Sequence, residues 1–114
     1  MRKFEVFFTE PFEKSLRNLA KKYKHIKKDI AELSSFLEDY PDTGVAIPSY
    51  AHKVWKIRWK SRDMARGKRG SYRIIYLWES KDDKVYLLLI YAKTKMEEIT
   101  KEELENALRE AGLG

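Results

Sequence analysis

The segment from Val85 to Ala92 (Val-Tyr-Leu-Leu-Leu-Ile-Tyr-Ala) constrains this chain more than any other. It holds no charge, and neither of its alternating faces is polar, so it predicts a strand buried on both sides. Such a strand belongs inside a sheet with a helix packed over it. At 114 residues the chain has room for one core, so it is expected to form a single domain over 1–114.

The other segments fit around that strand. Residues 2–9 alternate, with Phe4, Val6 and Phe8 on one face and Lys3, Glu5, Phe7 and Thr9 on the other. Glu10-Pro11 opens a helix, proline being tolerated in the first turn. Phe12, Leu16, Leu19, Tyr23, Ile26, Ile30, Leu33 and Leu37 then recur every three or four residues, until Tyr40-Pro41 and the turn Asp42-Thr43-Gly44. That spacing allows one long helix. Two helices folded back near Lys21 to His25 bury more of the stripe and are the expected arrangement.

Two more strands follow. In Lys53 to Lys60, Trp55, Ile57 and Trp59 share one face, and Lys56, Arg58 and Lys60 the other. In Tyr72 to Glu79, Tyr72, Ile74, Tyr76 and Trp78 oppose Arg73, Ile75 and Leu77. Thr100-Lys101-Glu102-Glu103 is a capping box for a last helix carrying Leu104, Ala107, Leu108 and Ala111, with Gly112 at its end. The order β-α-α-β-β-β-α predicts an α+β fold: an N-terminal strand and helical hairpin, an antiparallel meander sheet and a C-terminal helix.

Several functions lose their chemistry at this stage. There is no cysteine, hence no thiolate and no disulfide framework. His25 and His52 lack the neighbours of a metal site, so no metal or other cofactor is expected. Arg66-Gly67-Lys68-Arg69-Gly70 lacks the spacing of a phosphate-binding loop. No apolar run suits a membrane span or a signal peptide, and an intracellular chain is expected. The acids gather in the last helix and the turns, where they read as capping and solubility charges.

Charge supplies the positive evidence. Ala51 to Arg73 holds nine basic residues against the single acid Asp63, while the whole chain is only +6, so the remainder sums to −2. A patch of that kind attracts polyanions. Three cations on one strand face repel one another, so the arrangement does not serve folding. Lys14, Arg17, Lys21, Lys22, Lys24, Lys27 and Lys28 form a second basic run that is equally well read as a solvated helix face. Aromatic groups beside guanidinium groups suit single-stranded RNA, whose bases stack and whose phosphates pair with arginine.

Three motifs sharpen this reading. Val54-Trp55-Lys56-Ile57-Arg58, Gly67-Lys68-Arg69-Gly70-Ser71-Tyr72-Arg73-Ile74-Ile75-Tyr76 and Leu87-Leu88-Leu89-Ile90-Tyr91-Ala92-Lys93, in that order, resemble the RelE/ParE superfamily of type II toxins, its HigB-like branch above all. Phe8-Thr9-Glu10-Pro11-Phe12 and the Glu-rich last helix fit too. The resemblance implies a fold like that of small microbial ribonucleases. It also implies a cytoplasmic endoribonuclease that enters the ribosomal A site and cuts messenger RNA there. A cognate antitoxin would be its protein partner.

Residue by residue, the family's strand lysine matches Lys56, the basic residue after it Arg58, and the later arginine Arg73. The last basic residue falls on Lys93 or Lys95. Ser71 stands where the branch usually has glycine. On this reading Arg58 and Arg73 clamp the phosphate, and Lys56, crowded by like charges, takes the 2′-hydroxyl proton. Lys93 or Lys95 serves the leaving oxygen. Lys53, Lys60, Lys68, Arg69, Tyr91 and Lys95 are the expected RNA contacts, although Tyr91 fits core packing equally well.

The plainer reading makes Lys56 and Arg73 cross-strand ion-pair partners of Glu79 or Glu5. A non-catalytic, ParE-like binder and a housekeeping RNA-binding protein are the competing functions.

Overall fold

Alternation along the chain turns into one five-stranded mixed sheet. The structure, a computed structural model, describes residues 3–64, 70–79, 81, 83–93 and 98–114, with Lys93 described by its backbone alone. The strands are β1 (Glu5–Phe8), β2 (Val45–Ala46), β3 (Val54–Lys60), β4 (Ser71–Trp78) and β5 (Lys84–Lys93). The helices are α1 (Glu10–Ala20), α2 (Ile26–Asp39) and α3 (Lys101–Glu110).

In space the strands run β1-β5-β4-β3-β2. Strands β3 to β5 form the expected antiparallel meander, β2 extends it at the β3 edge, and β1 adds a parallel strand against Lys84–Leu87. The apolar segment thus becomes β5, interior as predicted. The two-residue β2, opposite Trp55 and Lys56, is the element the sequence did not announce.

The register explains why β5 is apolar throughout. Ile75 pairs with Leu89 but Tyr76 pairs with Leu87, leaving Leu88 as the extra residue of a bulge. Val85, Leu87, Ile90 and Ala92 therefore face α1 and α2, while Leu88, Leu89 and Tyr91 face α3. The main core fills the first side with Phe12, Ile26, Ile30, Leu33, Leu37, Ile57, Tyr72, Ile74 and Tyr76. Each such side chain contributes about 1.5–3 kcal/mol by leaving water.

The stripe does break into a hairpin, and its second helix is capped from afar. Asp63 accepts from the His25 backbone N–H at 2.6 Å, and its other oxygen lies 2.6 Å from His25 Nδ1. At the far end, α3 keeps the capping box: Thr100 accepts from Glu103 N–H and Glu103 from Thr100 N–H. Gly112, at φ +74°, closes it, with Leu113 N–H bonded back to the Leu108 carbonyl.

The second side of the sheet is only partly covered. Leu104 and Leu108 of α3 seal Val54, Ile75 and Leu88. Beyond that seal, Lys56, Arg58, Arg73 and Tyr91 share the same face, which is the candidate site.

Candidate nucleic-acid interface

Register brings the cations together. Arg58 of β3 sits directly opposite Arg73 of β4, which sits directly opposite Tyr91 of β5. The neighbouring row is Lys60, Ser71 and Lys93; the row on the other side begins at Lys56, opposite Ile75. Directly opposed like charges destabilise a sheet. This row of two arginines is bought by packing elsewhere.

Arg73 is half-buried, and its surroundings are set. Its Nη1 donates to the hydroxyl of Ser71, a buried residue two positions back on the same strand. Burial, and after it the Arg58 charge, lowers the Arg73 pKa from its ordinary value, while Tyr91 and Glu98 act in the opposite sense. Arginine remains protonated regardless, so Arg73 is suited to holding an anion and not to taking a proton.

Lys56 Nζ donates to Glu98 Oε1 at 3.1 Å. The phenol of Tyr91 is buried close to Glu98 and the Ile99 backbone, yet makes no well-formed hydrogen bond among the described residues. Burial raises its pKa, with the Glu98 charge adding and Arg73 opposing.

Two clefts meet at Glu98. One, about 640 Å³, lies between α1, α3 and β5, bordered by Lys14, Ser15, Asn18, Tyr91 and Asn106. The other, about 360 Å³, runs along β2 and the start of α3, with Lys56 and Tyr50 in its wall.

The remaining expected residues divide. Lys60 is exposed beside the arginine row. Lys53 stands at the other end of β3, 3.8 Å from Glu79. Lys93 has its backbone opposite Ser71, while Lys68, Arg69 and Lys95 lie outside the described residues. Of the ion pairs weighed from sequence, Glu79 takes Lys53, and the partner of Lys56 is Glu98. Glu5 lies across the sheet, opposite Lys84.

Sequence reasoning missed three things. Glu98 reads as one acid among several before a capping box, and no local signal places it among cations. Ser71 reads as a loop substitution, whereas its hydroxyl orients Arg73. Arg62, counted in the basic patch, is spent on the fold: it donates through its guanidinium to Asp29 and Glu32 and through its backbone to Asp29. Glu32 and Arg62 each shift toward their charged forms, the hydrogen bond between them being the main cause. Among the described residues no cluster of His, Cys, Asp and Glu is able to hold a metal, and no helix is long and apolar enough to cross a membrane.

Fold and candidate site together define an α+β sheet with a helical hairpin on one face and an open row of cations on the other, and the fold is that of RelE-like toxins. No protein-family model matches the chain, and no curated protein matches its sequence. Solved structures do match. The toxin–antitoxin complex RelBE2 from Mycobacterium tuberculosis aligns with a TM-score of 0.55 at 19% identity, over 80% of this chain and 99% of that one. A mutant of the E. coli toxin RelE, solved in the free state, aligns with a TM-score of 0.51 at 16% identity, over 98% and 96%.

Proposed function

We propose that the chain is the toxin of a type II toxin–antitoxin pair, of the HigB-like branch, and a ribosome-dependent endoribonuclease. The observation that carries this is the Arg58–Arg73 row with Lys56 beside it, on the part of the sheet face that α3 leaves open. The likeness of fold to two RelE-family toxins supports it. One of those was solved with an antitoxin, which supports a cognate antitoxin for this chain. Its target makes the protein cytoplasmic.

In the reaction the ribose 2′-oxygen attacks the adjacent phosphorus as its O–H bond breaks. Arg58 and Arg73 hold the non-bridging oxygens, where negative charge grows. Lys56 is assigned the 2′-hydroxyl proton, because the arginines keep theirs. The P–O5′ bond breaks, leaving a cyclic phosphate, and Lys93 or Lys95 supplies a proton to the departing oxygen. Lys60, Lys68 and Arg69 hold the RNA backbone, and Tyr91 offers a base its ring. Lys53 marks the far edge of the same basic strand.

The test is induced expression of the wild type and of Arg73→Ala in a bacterial host, with growth and message ends recorded together. Growth arrest with cuts at codon positions of translated messages is expected, and both vanish in Arg73→Ala. A folded wild type that arrests growth without cutting is the non-catalytic, ParE-like binder instead. One that does neither is no toxin.

A further inference from the structure

A carboxylate bonded to one of the cations of the open face calls for an explanation. Glu98 Oε1 accepts from Lys56 at 3.1 Å, and its charge acts on both Arg73 and Tyr91. Lys56 and Arg73 are two of the groups a bound RNA phosphate would meet, and Tyr91 borders them. We propose that Glu98 is a built-in competitor for that phosphate: its carboxylate stands where an RNA phosphate goes, and RNA binds by exchange with it. The ligand's identity rests on the RNA-cleavage reading; the exchange itself rests on geometry.

The chemistry of the two anions is alike. Carboxylate and phosphodiester both present two oxygens to ammonium and guanidinium donors, and either one satisfies them with charge-assisted hydrogen bonds. Both cannot do so together, because their charges repel. The present occupant is displaceable: the side chains of Glu98 and Lys56 are 50% and 34% exposed, and ion pairs in such positions are weak. The incoming phosphate gains more than Glu98 loses, since it also meets Arg58, which has no carboxylate partner among the described residues. The Tyr91 hydroxyl, buried beside Glu98, exchanges one anionic neighbour for another.

Position supports the same role. Glu98 borders both clefts, so a strand passing from one to the other crosses it. The consequence is an affinity held down in the free protein, with RNA admitted only where further contacts help to displace the carboxylate.

The experiment compares the purified full chain with Glu98→Gln, using two probes. One is a short single-stranded RNA carrying 2′-O-methyl groups, which the reaction above is unable to cut; the other is inorganic tripolyphosphate. Glu98→Gln is expected to bind both about threefold to tenfold more tightly. Its log–log salt dependence for RNA should steepen by about 0.7, one more phosphate being neutralised. In a Lys56→Gln background the gain should largely disappear, because the two residues act through one contact.

Equal RNA binding by the wild type and Glu98→Gln overturns the exchange while leaving the RNA reading intact. Tighter tripolyphosphate binding with no RNA binding by either chain upholds the exchange and overturns the RNA reading. Should Glu98→Gln bind RNA no more tightly and lose message cleavage in cells, the exchange is wrong and Glu98 is a reacting group.

Discussion

At the scale of single residues, Arg73 depends on a neighbour two positions away. Its guanidinium donates to Ser71, so the hydroxyl fixes where the clamp points. Ser71→Ala leaves the charge in place and frees its direction. We expect cleavage to fall about tenfold, since misdirected positioning groups cost on that order, with stability changed by less than about 1 kcal/mol. Message cleavage measured beside a urea titration checks this. Equal losses for Ser71→Ala and Arg73→Ala would sink the positioning role, and no loss would sink it too. Tyr76 supplies a second prediction. Its phenol is fully buried, donates to the Pro41 carbonyl at 2.7 Å and accepts from Gly44 N–H, and burial pushes its pKa up to about 12. Unfolded tyrosine ionises near pH 10. The raised folded value means that this contribution is whole below about pH 10 and is lost as pH climbs through about 12, a loss of roughly 2–3 kcal/mol. Tyr76→Phe should be less stable at neutral pH by about 1–2 kcal/mol. Its stability should also decline less between pH 10 and 12, so the two curves converge. Parallel curves in alkaline denaturation would refute the linkage.

At the scale of elements, local pattern was a good guide wherever the cause of the structure is local. Strands β3 and β4 follow their alternation, and α3 follows its capping box. The break between α1 and α2 falls where it was expected, near Lys21 to His25, but the cap on α2 comes from Asp63, 38 residues further on. A stripe that reads through both helices contains no sign of it. Strand β2 was illegible, because two residues carry no period and only pairing with Trp55 and Lys56 makes them a strand. The Leu88 bulge hid a change of parity inside a run that is apolar in either register. Gly44 shows how tightly β2 is set. A Cβ there would lie 2.6 Å from the Tyr76 hydroxyl and 2.7 Å from the Lys56 carbonyl, and the second of these is backbone. Gly44→Ala must therefore push the turn away from β3 at Lys56. A cost of about 1–3 kcal/mol is expected, as for other overpacked positions, together with weaker RNA binding. A chemical-denaturation midpoint unchanged from wild type would show that the turn yields freely.

At the scale of the whole molecule, the site was half legible, and charge explains the division. The sequence located the cations, because a run of basic residues on one strand face stands out against a balanced background. It gave no way to tell which of them are spent. In the fold, Lys53 meets Glu79, Lys56 meets Glu98, and Arg62 meets Asp29 and Glu32, whereas Arg58 and Lys60 meet no carboxylate among the described residues. Every one of those carboxylates is remote in sequence from its cation. Formal charge therefore overstates what a polyanion encounters, and two substitutions of identical formal charge should behave in opposite ways. On the proposed reading, Arg58→Gln removes a cation that meets phosphate. It should flatten the log–log salt dependence of single-stranded RNA binding by about 0.7 and leave stability unchanged, or raise it by relieving the repulsion with Arg73. Arg62→Gln removes a cation held for the fold. It leaves Asp29, 2% exposed, with its charge uncompensated, at a cost of about 3 kcal/mol, while the salt dependence stays that of the wild type. Salt titrations of RNA binding and urea unfolding of both variants decide the matter. If Arg62→Gln flattens the salt dependence as much as Arg58→Gln does, the patch acts through its total charge, and the division between folding and binding cations is wrong.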